Sequence, residues 1–224
     1  MTIKQIQEAV IKGNASGVVK LAQQALDEGA PPSVVLNEGL CAGMGVIGER
    51  FKQSEIFVPQ VLLAARAMKQ GAELLKPHLV AAGVVPFATA VIGTIKGDLH
   101  DIGKNLVGMM LEGAGFRVVD AGIGVAPEVF VKLAQEHQAQ IIGVSALLTT
   151  TMVNMRGVVA AARASGLAVK VIIGGAPVTQ AFCDEIGADG YSPDAASAAE
   201  LATRLVKEPR MHTHDEPQRV RRIL

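Results

Sequence analysis

The hydrophobic pattern of this 224-residue chain changes once, near residue 83, and this change constrains the fold more than any other feature. Before it, apolar residues recur at helical spacing, as at Val18, Leu21, Ala22, Ala25 and Leu26. After it, short and wholly apolar runs alternate with segments of helical pattern. Such runs are typical of parallel strands that are buried on both faces. The sequence therefore predicts a helical part followed by an α/β part.

Four helical patterns fill residues 1–84, the third after the pair Pro31-Pro32 and the fourth from about Pro59. They predict a small four-helix bundle. In residues 86–208 the apolar runs lie at 87–95, 116–122, 140–147 and 169–176, with helical patterns that include 102–113 and 195–206. This alternation predicts a flavodoxin-like or Rossmann-like parallel sheet. Residues 209–224 lose all periodicity, and we expect a flexible tail.

Composition excludes several classes of protein. Lys plus Arg and Asp plus Glu number 21 each, so no net charge favours binding to nucleic acid or to an anionic membrane. No apolar stretch approaches the roughly 18 residues of a membrane span. Cys41 and Cys183 lie far apart, which argues against a disulfide framework or a zinc knuckle. The N-terminus does not resemble a signal peptide, and we expect a cytoplasmic protein.

Three unusual segments follow strands of the predicted sheet. The first strand ends in KGDLHDIGKN (96–105), the third in VSALLTTT (144–151), and the fourth in Gly174-Gly175. In an open parallel sheet, ligands bind beyond the carboxyl ends of the strands, where the strand order reverses. With flavodoxin-like order that point lies between the first and third strands, so these segments should converge on one site.

The first of these segments contains a single histidine, His100, two residues after Asp98. A metal-bound imidazole commonly donates its other N–H to a carboxylate, which Asp98 could supply. Alternatively, Asp98 or Asp101 is a helix N-cap and His100 an ordinary first-turn residue. One histidine cannot form a zinc site, so a metal here would bring its other ligands with it.

The other two segments each allow two interpretations. The hydroxyls of Ser145, Thr149 and Thr151 could line a polar pocket or could cap helices. Gly174 and Gly175 could admit a bulky ligand or make a tight turn. The spacing of Gly97 and Gly103 does not match a phosphate-binding P-loop. Ser145 stands where a phospho-acceptor receiver domain has an acid.

Together these motifs resemble those of cobalamin-binding domains. GDLHDIGKNLV matches the family's Asp-x-His-x-x-Gly signature, and Ser145-Ala146-Leu147 and Gly174-Gly175 match its second and third motifs in the same order. The stretch GLCAGMGVIGERFKQSEIFVPQVLLAARAMKQ (39–70) is similar to the helical cap of methionine synthase and of corrinoid proteins. The resemblance covers residues 1 to about 208.

The resemblance implies that cobalamin binds base-off, with its nucleotide tail buried beside the sheet and His100 as the lower cobalt ligand. Asp98 would hold the other imidazole nitrogen, and Thr151 would extend this relay in place of a serine. Phe51 and Val58 align with cap residues over the upper corrin face, although both could be ordinary core residues. The remaining cofactor contacts implied are Leu99, Asp101, Ile102, Gly103, Ser145, Leu147, Thr149, Gly174 and Gly175.

The same resemblance implies a methyl carrier that has no catalytic activity alone. Its partners would be a substrate-specific methyltransferase, for methanol, methylamine, methoxyaromatic or betaine substrates, and a methylcobalamin:acceptor methyltransferase serving coenzyme M or a tetrahydrofolate-type acceptor. A reductive activator is a third expected partner. The alternatives are a cobalamin-dependent sensor or regulator, disfavoured by the absence of Trp and of a DNA-binding segment, and a cobalamin storage protein. The cap argues against the cobalamin domain of a radical mutase.

Overall fold

The computed structural model describes residues 2–208, and the predicted flexible tail, 209–224, lies outside the described residues. The helical part comes first and contains five α-helical segments. They are α1 (Thr2–Ile11), α2 (Ala15–Asp27), α3 (Pro32–Val34), α4 (Ala42–Lys52) and α5 (Val58–Ala81). Helix α5 begins beside Pro59, as the sequence predicts, and the Gln60 side chain accepts a hydrogen bond from the Phe57 N–H at 3.1 Å.

The third predicted helix is continuous but not uniform. It runs from α3 through a π-helical segment, Val35–Cys41, into α4. A π-helical turn holds one residue more than an α-helical turn would, so it rotates the following helix about its axis. Periodicity alone did not reveal this segment, because Leu36, Leu40 and Met44 keep near-helical spacing.

The α/β part forms a five-stranded parallel sheet with the order β2-β1-β3-β4-β5. This order places the reversal point between β1 and β3, and it confirms the predicted flavodoxin-like class. The strands are β1 (Ala88–Thr94), β2 (Phe116–Asp120), β3 (Ile141–Ser145), β4 (Lys170–Gly174) and β5 (Gly190–Ser192). The helices are α6 (Ile102–Gly113), α7 (Pro127–Glu136), α8 (Thr149–Met152), α9 (Met155–Ala164), α10 (Gln180–Ile186) and α11 (Ala195–Lys207).

The buried apolar side chains form two clusters, one on each face of the sheet. One cluster lies under α7, α9 and α10 and is local to the α/β part. The other continues from the sheet face, through α6 and α11, into the interior of the helical part, where Leu40 and Met44 are almost fully buried. The two parts of the chain therefore share one core. Lys52 Nζ also contacts Glu200 of α11 at 2.9 Å.

Within residues 2–208, no helix combines the length and the apolar composition that crossing a membrane requires.

Candidate functional site

The three segments singled out in the sequence converge at the carboxyl edge of the sheet. The loop after β1 carries Asp98 and His100 and leads into α6, and the loop after β3 crosses directly beside it. Gly97 lies in the left-handed region at φ 88°, where glycine is favoured, and allows this loop to turn back. The Gly124 N–H donates to the Asp98 carbonyl at 3.0 Å and ties the loop to the segment after β2.

Asp98 fixes the orientation of the His100 ring. Asp98 Oδ1 lies 2.7 Å from His100 Nδ1 and also accepts the His100 backbone N–H at 3.1 Å. The Asp98 side chain is fully buried, whereas the His100 side chain is 52% exposed. Because a carboxylate only accepts hydrogen bonds, Nδ1 carries the proton. Nε2, which has no bonding partner among residues 2–208, is the nitrogen that remains for a metal.

The second oxygen of Asp98 is equally well bonded. Oδ2 accepts the backbone N–H groups of Leu147 at 2.8 Å and Leu148 at 3.2 Å, and the Thr151 hydroxyl at 2.7 Å. Burial alone would raise the pKa of the Asp98 carboxyl, but the hydrogen bonds from His100, Leu147 and Thr151 outweigh it and hold the pKa well below 3.8. The carboxyl therefore stays ionised and keeps the imidazole in one tautomer.

This geometry decides between the two interpretations of the Asp98 side chain. Asp101 occupies the N-cap position of α6, but its side chain accepts no backbone hydrogen bond there. Its carboxylate accepts the Asn105 side-chain amide at 3.1 Å instead. Asp98 is bonded to the histidine ring and to the loop after β3, so it orients the ring and does not cap the helix.

Large apolar side chains surround the imidazole and face solvent. Leu99 is 71% exposed and Ile102 is 72% exposed. A side chain added at Gly103, in the first turn of α6, would meet no protein atom within 4 Å. Exposed apolar groups that cluster around a polar centre mark a surface that a ligand covers. The site thus presents an apolar platform with one imidazole nitrogen that is open to a ligand.

Beside this platform a cavity of about 680 Å³ extends between the sheet and helices α6 and α11. Ten of the predicted cofactor contacts line it: Phe51, Leu99, His100, Asp101, Ile102, Gly103, Ser145, Leu147, Gly174 and Gly175. Phe51, at the C-terminal end of α4, is the only described residue of the helical part that lines the cavity.

Four predicted site residues do not line this cavity. Asp98 and Thr151 are buried, with Asp98 bonded to the His100 ring and Thr151 bonded to Asp98. Val58 begins α5 and is partly buried against the core of the helical part. Thr149 begins α8 and is exposed.

The two glycines after β4 have different roles. A Cβ on Gly175 would lie 1.9 Å from the Ala146 carbonyl oxygen, and the residue has a φ of 124°. Close backbone packing and this positive φ therefore require glycine at this position, whatever the cavity holds. A Cβ on Gly174 would lie 3.0 Å from the Ser192 carbonyl oxygen, so a side chain there would require the neighbouring strand to move by a few tenths of an ångström.

Two residues of the site were missed in the sequence. Thr94, at the end of β1, is fully buried, and its hydroxyl donates to the His100 carbonyl at 2.8 Å. Lys104 in α6 is buried too, and its ammonium donates to Asp120 at 2.6 Å and to Asn105 at 2.7 Å. A threonine inside an apolar run looks like an ordinary strand residue, and a lysine in an amphipathic helix looks solvated, so neither stood out.

The donor set fits a metal that arrives with its own equatorial ligands. No group of three or more His, Cys, Asp or Glu side chains in residues 2–208 could hold a bare ion. A single oriented imidazole in an apolar platform, with a long cavity beside it, suits a large flat metal complex that has one free axial position. A corrin with its nucleotide tail has this shape.

Comparison with known proteins agrees with this geometry. Two family models, each described as a B12 binding domain, match residues 88–200 and residues 2–76. A corrinoid protein from Desulfitobacterium hafniense is 39% identical over 209 residues, which cover 91% of this chain and 97% of that protein. Dimethylamine corrinoid protein 3 from Methanosarcina acetivorans is 40% identical over 206 residues, which cover 91% of this chain and 96% of that protein.

Solved structures match over both parts of the chain. The methanol:cobalamin methyltransferase complex from Methanosarcina barkeri contains a chain with a TM-score of 0.82 and 32% identity, covering 92% of this chain and 79% of that one. A cobalamin-binding protein from Desulfitobacterium hafniense has a TM-score of 0.75 and 31% identity, covering 91% of this chain and 98% of that one. Both matches extend over the helical part and the sheet, and this chain belongs to the family of B12-binding corrinoid proteins.

Proposed function

We propose that this protein carries a methyl group on bound cobalamin between two methyltransferases. The observation that supports this most directly is the orientation of His100, whose Nδ1 is held by Asp98 so that Nε2 is free on an apolar platform. His100 would be the lower cobalt ligand of cobalamin bound base-off, with the nucleotide tail in the cavity beside the sheet. When bound, cobalamin supplies the cobalt that accepts and releases the methyl group.

The residues around His100 would hold the imidazole in the tautomer that ligation requires. Asp98 accepts the Nδ1 proton, so the lone pair that a metal would take lies on Nε2. The hydrogen bonds to Asp98 Oδ2 outweigh the effect of burial and keep this carboxyl ionised, so it remains an acceptor for Nδ1. Thr151 is one of these donors and so helps to hold the carboxylate toward the ring.

The proposal also extends to the enzymes that would donate and accept the methyl group. Several relatives are named as dimethylamine, trimethylamine or monomethylamine corrinoid proteins, and one matching structure is a methanol:cobalamin methyltransferase complex. We infer that a substrate-specific methyltransferase for methanol, a methylamine, a methoxyaromatic or a betaine donates the methyl group. A second methyltransferase would pass it to coenzyme M or a tetrahydrofolate-type acceptor, and a reductive activator would restore the reduced cobalt.

Cofactor binding is tested first, with His100→Ala beside a matched histidine control. The purified protein is incubated with hydroxocobalamin, freed of excess by gel filtration, and its absorption spectrum is recorded. We expect about one cobalamin per chain and a changed spectrum in His100→Ala, whereas His78→Ala on α5, away from the cavity, keeps the wild-type spectrum. If His100→Ala keeps it too, this residue is not the lower ligand.

Methyl transfer is tested separately, because binding alone would also suit a storage protein. The reduced, cobalamin-loaded protein is mixed with a donor methyltransferase of each substrate class and its ¹³C-methyl substrate. Transfer of label to the protein-bound cofactor with one donor, and onward to coenzyme M or tetrahydrofolate, is the expected result. Retention of cobalamin without transfer from any donor would favour storage.

A further inference from the structure

The proposed function gives no role to the hydroxyl of Thr94 at the end of β1, and it uses Ser145 at the end of β3 only as a residue that lines the cavity. Thr94 and Ser145 are register partners in the parallel pairing of the two strands. Their oxygens lie 3.1 Å apart, and Thr94 Oγ1 lies 2.8 Å from the His100 carbonyl oxygen. Thr94 is fully buried, whereas Ser145 lines the cavity. The pair therefore connects the cavity to the backbone of the histidine loop.

Counting protons gives the direction of this connection. A hydroxyl has one proton to donate, and a carbonyl oxygen can only accept. The proton of Thr94 is used on the His100 carbonyl, so the contact between the two hydroxyls must use the proton of Ser145. The chain of donation runs from Ser145 to Thr94 to His100. If a group in the cavity accepts the hydrogen bond of the Ser145 hydroxyl, Ser145 can no longer donate it to Thr94.

His100 is thus held by two different side chains. Asp98 holds the ring through Nδ1 and also accepts the backbone N–H, whereas Thr94 holds the backbone carbonyl. The ring contact fixes the direction of Nε2, and the carbonyl contact ties the residue to the end of β1. Within residues 2–208 Thr94 forms no hydrogen bond with Asp98, so losing its hydroxyl leaves the ring contact in place.

We propose that Thr94 and Ser145 are positioning residues that make ligation by His100 depend on what fills the cavity beside the sheet. This inference rests on the proposed function, in which the nucleotide tail of cobalamin occupies that cavity. A hydrogen bond between the tail and Ser145 would change the hydrogen bond between Ser145 and Thr94. That in turn would change how firmly Thr94 holds the His100 carbonyl, and so the position of the His100 loop. A merely structural role, satisfying two polar groups at strand ends, would change stability alone.

The first experiment uses the cofactor-free protein. Hydrogen exchange of the peptide that covers residues 96–103 is compared in wild type, Thr94→Val and Thr94→Ser, with a peptide from α9 as the internal reference. We expect Thr94→Val to exchange this loop about three- to tenfold faster, as the loss of one hydrogen bond predicts, and Thr94→Ser to resemble wild type. Loop exchange in Thr94→Val that rises no more than exchange in α9 would overturn the role of Thr94.

The second experiment separates the tail from the ring. Dissociation constants and spectra are measured with cobalamin and with cobinamide, which has the corrin and cobalt but lacks the nucleotide tail. We expect Ser145→Ala to weaken cobalamin binding about three- to tenfold and to lower its histidine-ligated fraction, with little effect on cobinamide. In the double variant with Thr94→Val the two effects should not add. Equal weakening of both ligands, or strict additivity, would overturn the coupling.

These outcomes remain separate from a failure of the proposed function. If wild type and His100→Ala have the same cobalamin spectrum, the ligation on which this inference depends is absent. If the spectra differ but neither Thr94→Val nor Ser145→Ala has the expected effect, the ligand assignment stands and the positioning pair is wrong.

Discussion

Asp98→Asn is a demanding test of the site, because an amide cannot replace this carboxylate in either orientation. Asp98 accepts five hydrogen bonds: two from His100 at Oδ1, and at Oδ2 two from the loop after β3 and one from Thr151 of α8. An asparagine presents one oxygen and one NH₂ group, so the amide must face donors on one side. The side with two donors is the less costly choice, which directs the NH₂ group at His100.

The consequence for the histidine is a change of tautomer. With a donor opposite it, Nδ1 must accept, and the ring proton moves to Nε2, the nitrogen that would bind cobalt. The His100 backbone N–H also loses its acceptor, at about 1–3 kcal/mol, and the remaining bonds lose their charge assistance. We expect Asp98→Asn to lower the free energy of unfolding by about 2–4 kcal/mol in total, which corresponds to a decrease of about 4–16 °C in Tm for a chain of this size.

The assay combines thermal unfolding of the cofactor-free protein with the spectrum of the cobalamin-loaded protein. Asp98→Asn should show the lower Tm and a spectrum shifted toward that of His100→Ala. Asp101→Asn is the matched control, since this neighbouring carboxylate is exposed and, among residues 2–208, bonds only the Asn105 side chain; the stability of this variant should change by no more than about 0.5 kcal/mol. An Asp98→Asn protein with the wild-type Tm and spectrum would refute the argument.

Three further predictions follow from single features. Gly103→Ala should stabilise the cofactor-free protein by up to about 1 kcal/mol, because alanine favours helix and meets no protein atom there, yet it should weaken cobalamin binding. Gly45→Ala, also in open space on a helix, should stabilise the protein without weakening cobalamin binding. Equal cobalamin affinities in the two variants would contradict this prediction. The pKa of Asp98 is lower in the folded protein than its ordinary value of 3.8, so the stability that its carboxylate contributes is present above that pH and is lost as the pH falls toward the folded-state pKa. In thermal unfolding scans, the difference in Tm between wild type and Asp98→Asn should therefore shrink from about pH 5 to about pH 2. Burial raises the pKa of the Cys41 thiol to about 11 and also raises that of Cys183. At about pH 8 the buried Cys183 should react with a disulfide reagent only as fast as the protein opens, and the half-buried Cys41 should react slowly because little of it is thiolate; a fast phase in the native state would refute this.

Much of the α/β part could be predicted because its signals are local. Helix α6 has the predicted limits, 102 and 113, since a polar loop precedes it and Gly113 ends it. Each of the four apolar runs contains a strand. Strand β5 was not predicted, because Gly190–Ser192 is three residues long and has no apolar run. It pairs with β4 at the sheet edge, which only the tertiary structure reveals.

The site was predictable to the extent that its residues form a sequence motif. Asp98 and His100 are two positions apart, so their contact is local and could be inferred. The contact of Asp98 with Thr151 spans 53 positions and was implied only by resemblance to a family. Thr94 was missed because the acceptor of its hydroxyl is a backbone carbonyl, which leaves no trace in side-chain composition.

The core that runs from the cap into one face of the sheet has a consequence for modularity. Separate family models match residues 2–76 and 88–200, so the two parts behave as separate units of sequence. They are not separate units of stability, because α6 and α11 bury apolar surface against both. Transplanting the α/β part behind an unrelated cap would leave that surface exposed to water and invite aggregation. A successful exchange of modules must therefore carry over the facing sides of α4 and α5, because the cap and the sheet are two halves of one folding unit.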